Sequence, residues 1–60
     1  MSSKKLFENG TDFYIPWSNQ TGKTISVAIV NEQNIITKKL EITPGENIVV
    51  PPKNILRIIS

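Results

Sequence analysis

The stretch Thr24-Ile25-Ser26-Val27-Ala28-Ile29-Val30, followed by Asn31-Glu32-Gln33-Asn34 and Ile35-Ile36-Thr37-Lys38-Lys39-Leu40-Glu41-Ile42, decides the fold class. In the first segment Ile25, Val27 and Ile29 alternate with Ser26, Ala28 and Val30. Both sides are apolar or small, the pattern of a central strand covered on both faces. The four polar residues after it suit a hairpin loop. The return segment then places Ile36, Leu40 and Ile42 inward, with Thr37, Lys39 and Glu41 outward. Lys38 falls on the inner side by that count. Either its stem packs at a rim with the ammonium in water, or a β-bulge shifts the register.

Turn chemistry recurs on both sides of this pair. Toward the C-terminus, Thr43-Pro44-Gly45-Glu46 carries Pro and Gly where a type II turn needs them. Asn47–Val50 reads as a short strand that Pro51-Pro52 stops at an extended or cis corner. Asn54–Ile59 is the last strand, with Ile55, Arg57 and Ile59 on one face and Leu56 and Ile58 on the other. An apolar strand of this kind is either paired inside a sheet or exposed as an aggregation template, and burial is the expectation.

Toward the N-terminus, Ser18–Lys23 is a polar loop and Thr11–Trp17 alternates, with Phe13, Ile15 and Trp17 sharing a face. Pro16 has no N–H to give a ladder, so this segment is an edge strand or ends there. Asn9-Gly10 matches a type I′ turn that joins Lys4–Glu8 to Thr11–Trp17 as a hairpin. Ser3–Glu8 also reads as one short helical turn capped by Ser2 or Ser3, although so short a helix is marginal in water. Residues 1–8 are therefore expected to be an N-terminal arm or edge strand, and residues 9–60 a single small β domain.

The composition agrees with this pattern. Ten Ile, four Val and five Thr stand against a single Ala, and β-branched side chains suit a pleated surface. The expected fold is all-β: a small antiparallel barrel or sandwich of five to six short strands joined mainly by hairpins.

Sixty residues make one domain at most. Area scaling gives a folded surface near ~3,900 Å² and an unfolded one near ~9,700 Å². With roughly 60% of the difference apolar, burial at ~25 cal/mol/Å² contributes about 87 kcal/mol, against about 90 kcal/mol for ordering the chain. These cancel, and the chain has no cysteine for a disulfide. Association between copies is the common way for a small domain to bury more surface.

The chemistry-bearing motifs are few. Without His or Cys a zinc site is not expected, and no cofactor is. Thr21-Gly22-Lys23-Thr24 matches the tail of a phosphate-binding loop. Trp17 stands where its first glycine belongs, and a strand rather than a helix follows. The five acids, Glu8, Asp12, Glu32, Glu41 and Glu46, fall in turns or on outward faces rather than as a catalytic pair. The expectation is a non-enzyme. Asn9-Gly10-Thr11 and Asn19-Gln20-Thr21 are glycosylation sequons, taken as chance recurrences in an Asn- and Thr-rich chain without a secretory signal. No run of residues is long and apolar enough for a membrane span, which favours a cytoplasmic or virion-associated protein.

Thr43-Pro44-Gly45-Glu46 followed by Ile48-Val49-Val50 resembles the Pro-Gly-Glu hairpin of bacterial and viral immunoglobulin-like sandwiches. The resemblance covers residues 43–50 and marks a turn rather than an activity. Ile and Asn usage, with six Lys to one Arg, is similar to that of proteins from AT-rich genomes such as some Gram-positive bacteria and their phages.

The leading functional expectation is a self-associating structural or interaction module, as a component of a shell, fibre or ring. Its interface residues are taken as Leu6 and Phe7 in the arm, Tyr14, and Leu56, Ile58 and Ile59 at the terminal strand. The first alternative is a nucleic-acid-binding small β-barrel with Tyr14 and Trp17 stacking and Lys23, Lys38, Lys39 and Lys53 on phosphates. The second is a small protein inhibitor of a host enzyme. The expected partner is another copy of the chain, then another protein, then nucleic acid.

Overall fold

The alternating β-branched segments form six strands. They are β1 (Lys4–Glu8), β2 (Ile15–Ser18), β3 (Ile25–Val30), β4 (Ile36–Ile42), β5 (Asn47–Val50) and β6 (Ile55–Ile58). The structure, a computed structural model, describes residues 4–59. All pairings are antiparallel and no helix occurs among the described residues. The first three residues of the expected arm lie outside the described residues.

Four strands form one sheet in the order β1-β6-β3-β4, and β2 pairs with β5 in a second. No closed barrel forms. Ile25, Val27, Ile29, Ile42 and Leu56 from the large sheet share one buried cluster with Ile48 and Val50 from the small sheet. Leu6, Phe7, Trp17, Leu40 and Ile58 pack around it. Burial from both sheets into one cluster is what gives so short a chain a core, because a two-stranded sheet alone is marginal in water.

β3 is central as its two-sided apolar pattern implies, lying between β6 and β4. On its outward face Ala28 is 1% exposed. Its register partners are Lys39 and Arg57, whose long stems shield a small neighbour. β6 is also internal, so the terminal apolar strand is paired on both sides within its own sheet.

Several expectations need correction. Asn9-Gly10 does not make a hairpin turn: β1 pairs with β6, not with β2, and neither Asn9 nor Gly10 has a positive φ. Only β3 and β4 are sequence neighbours that pair, so hairpins are the exception among the connections. The Thr43–Glu46 turn forms as its chemistry demands, with Gly45 at φ +82° and Glu46 N–H donating to Thr43 O at 3.0 Å. It carries the chain from β4 in one sheet to β5 in the other rather than closing a hairpin. Pro51-Pro52 turns the chain with no cis bond, and Lys53 takes φ +60°.

The β3–β4 ladder shifts register between Ile29 and Val30, where Ile29 faces Lys38 and Val30 faces Ile36. Thr37 is the extra residue, its hydroxyl donating to Ile29 O at 3.2 Å. The bulge leaves Lys38 in phase with Leu40 and Ile42, opposite Ile29, where it is exposed at the rim of that face. It also carries Ile36 to the outward face, 47% exposed, instead of the core. Phe13 likewise leaves the face it was expected to share with Ile15 and Trp17. The strand begins only at Ile15, and Phe13 is 73% exposed in the loop before it.

Candidate functional site

The two sheets are joined at two corners, and an asparagine is buried at each. Asn9 follows β1, in the large sheet. Its side-chain nitrogen donates to Val50 O at 2.9 Å and Pro51 O at 3.0 Å, at the end of the small sheet, and to Phe13 O at 2.7 Å. Asn19 follows β2, in the small sheet. Its side-chain nitrogen donates to Ile42 O at 3.0 Å, at the end of β4 in the large sheet, and to Lys23 O at 2.9 Å.

Each side-chain oxygen accepts from the backbone N–H and hydroxyl of the threonine two residues on, Thr11 or Thr21. This is an Asx turn locked by a hydroxyl. Backbone bonds complete both corners. Asn9 N–H donates to Asn54 O, Asn19 N–H to Glu46 O, and Gly45 N–H to Asn19 O. The 9–14 loop is thereby tied to the 51–54 corner, and the 19–24 loop to the 43–46 corner.

The two Asn-x-Thr triplets thus build the same structural device at two corners. The sequence carried a signal: Phe7-x-Asn9-x-Thr11 with Ile15, and Trp17-x-Asn19-x-Thr21 with Ile25, form a ten-residue repeat. The acceptor nitrogen of each sequon is enclosed, since both asparagines are 1% exposed.

The expected interface residues do not form one surface. Leu6 and Phe7 are half-buried against the core. Leu56 is fully buried in the protein's own core. Ile58 packs against the same core, and Ile59 donates its N–H to Ser26 O at the margin of the large sheet. Tyr14 is 68% exposed beside Phe13.

The expected nucleic-acid residues are also scattered. Trp17 points into the core rather than toward a stacked base. Lys53 donates to Gly10 O at 2.9 Å and lies 3.5 Å from an Asp12 oxygen. Lys38 and Lys39 are consecutive on β4 and so project to opposite faces. Lys23 sits in the 19–24 corner loop.

A surface cleft of about 360 Å³ is lined by residues including Glu8, Gly10, Asn31, Glu32, Asn34 and Lys53. Glu8 accepts from Lys5 Nζ at 2.9 Å, and that hydrogen bond with the lysine charge holds its carboxyl below the usual range. Among the described residues no cluster of three or more acids has the geometry to hold a metal ion, and no helix is long and apolar enough to cross a membrane.

What remains open to a partner is main chain and apolar surface. Among the described residues Phe13, Tyr14, Ile35, Ile36 and Val49 are the large exposed apolar side chains. Four strands, β1, β4, β2 and β5, each have one edge without a strand neighbour among the described residues. Comparison with known proteins found no matching family model, no matching curated protein and no matching solved structure.

Proposed function

We propose that this chain is a non-enzymatic β module that works by associating with copies of itself, as a building block of a shell, ring or fibre. The observation that carries this reading is the mismatch in sheet width: four strands in one sheet and two in the other. We read this layout as an incomplete sandwich. The narrow sheet leaves two strand edges and the apolar side chains Tyr14 and Val49 facing outward, where a neighbouring chain can complete the layer. The contact expected at the arm and terminal strand moves to the small sheet, because β6 is paired on both sides and β1 carries Lys4 and Lys5 along its open edge.

The test is the absolute mass in solution by light scattering across a concentration series. The expected result is a mass that rises above 6.7 kDa with concentration. A mass fixed at that value up to millimolar protein overturns the proposal.

A further inference from the structure

The four open edges are not equivalent. β1 carries Lys4 and Lys5 and a register irregularity at Leu6. β4 carries Lys38 and Lys39 and the bulge at Thr37. Lysines and bulges are the devices by which edge strands resist pairing with other chains. β2 carries Pro16, a third such device. β5, Asn47-Ile48-Val49-Val50, has no charge, no proline and no bulge.

The direction of its main-chain groups follows from the ladder. Asn19 N–H donates to Glu46 O, and Ser18 faces Asn47. By the alternation of antiparallel pairs, Trp17–Ile48 and Ile15–Val50 exchange hydrogen bonds while Pro16–Val49 and Ser18–Asn47 do not. The missing N–H of Pro16 therefore lies on the outer edge of β2, where it breaks no bond. The N–H and C=O groups of Asn47 and Val49 point out from the free edge of β5.

We infer that β5 pairs antiparallel with β5 of a second copy, about a two-fold axis through Ile48. This deepens the self-association reading and rests on it. In that register Asn47 of one copy exchanges bonds with Val49 of the other, and all four donors and acceptors are non-proline. The run 47–52 carries no charge, so two copies meet without like-charge repulsion. A second copy is the occupant that matches this edge in length and register, and it widens the two-stranded sheet to four strands. Val49, 52% exposed, is covered on the outer face at the same time. A four-residue edge is only about 14 Å long. It buries far less than the ~1,200 Å² of a stable complex. The pair is consequently reversible and concentration-dependent.

The experiment compares the native chain with V49P, V49K and V49T by sedimentation and light scattering. V49P deletes the outward N–H while leaving the pairing with β2 intact. The native chain and V49T are expected to double in mass with concentration, and V49P and V49K to need at least tenfold more protein to do so. A variant-free reading is amide exchange of the native chain. Exchange at Asn47 and Val49 should slow as concentration rises, with no such change on the outward edge of β4. Native doubling that V49P and V49K both leave unchanged, with exchange at Asn47 and Val49 insensitive to concentration, overturns the β5 pairing and leaves self-association standing. A native chain that stays monomeric overturns both.

Discussion

Asn9 and Asn19, ten residues apart, occupy the same environment at opposite corners of the molecule. Each is 1% exposed, and each donates to the carbonyl four residues on and to a carbonyl at the end of a strand in the other sheet. Each also holds a threonine two residues on. They rivet the sheets together where the chain crosses between them. Buried carbonyls need donors, and a side-chain amide is the one neutral group that supplies two donors and an acceptor at once.

Asn9→Asp should be the most damaging of the corner substitutions. A carboxylate cannot donate to Val50, Pro51 or Phe13, and it adds an unpaired buried charge. The expected cost is about 3–5 kcal/mol. At ~0.05–0.15 kcal/mol per residue a chain of this length holds only about 3–9 kcal/mol. Asn19→Asp should cost somewhat less, because its amide serves two carbonyls rather than three. Circular-dichroism melts at neutral pH check the order. Equal melting temperatures for Asn9→Asp and the native chain would disprove the rivet.

Thr11→Val and Thr21→Val keep the shape and remove the hydroxyl that locks each Asx turn. Each should cost about 0.5–1.5 kcal/mol. Thr11→Ser and Thr21→Ser should recover most of that loss. Denaturant midpoints at constant m-value measure it.

Gly10 and Gly45 separate two readings of the same residue type. Gly45 holds φ +82°, so Gly45→Ala should cost about 1 kcal/mol or more. Gly10 has no positive φ and open space where a Cβ would go. Gly10→Ala should be neutral or slightly stabilising by restricting the unfolded chain. A large loss at Gly10 would restore the Asn-Gly hairpin.

Leu56→Ala should cost about 2–5 kcal/mol as a cavity in the shared core. Ile36→Ala, carried outward by the bulge, should stay within about 0.5 kcal/mol. Thermal melts of the two variants side by side test the bulge, since an unbulged β4 would put Ile36 in the core.

The Glu8 carboxyl is lowered by Lys5, so its pairing stabilises the fold at neutral pH. The folded value lies below the unfolded one. The contribution is therefore present above the unfolded pKa and is lost as pH falls through the folded value. Glu8→Gln should lower stability slightly at pH 7 and leave it unchanged in strong acid. An NMR titration of Glu8 in Lys5→Ala should return its carboxyl toward the ordinary glutamate range.

Strand content and the inner and outer faces of most strands were legible from the residues. Alternation with period two fixes which side of a strand is apolar, as Leu56 and Ile58 or Ile15 and Trp17 illustrate. The type II turn at Thr43–Glu46 was legible too, because Pro and Gly each admit few conformations. Phe13 and Ile36 were misplaced for one reason. A local irregularity, the late start of β2 after Phe13 or the bulge beside Ile36, leaves no mark in composition.

Alternation names a face but not a neighbour. β1 could pair with β2 through Asn9-Gly10 as readily, by local chemistry, as with β6. The structure ties the strands at the corners, where Asn9 donates to the carbonyls of Val50 and Pro51 and Asn19 to that of Ile42. The sequence by itself determined an antiparallel β protein with the 31–34 hairpin loop and the 43–46 turn in place. Which strands meet, and which edge is left bare, was decided only in the tertiary structure. Those outcomes depend on satisfying polar groups brought together from some forty residues apart along the chain.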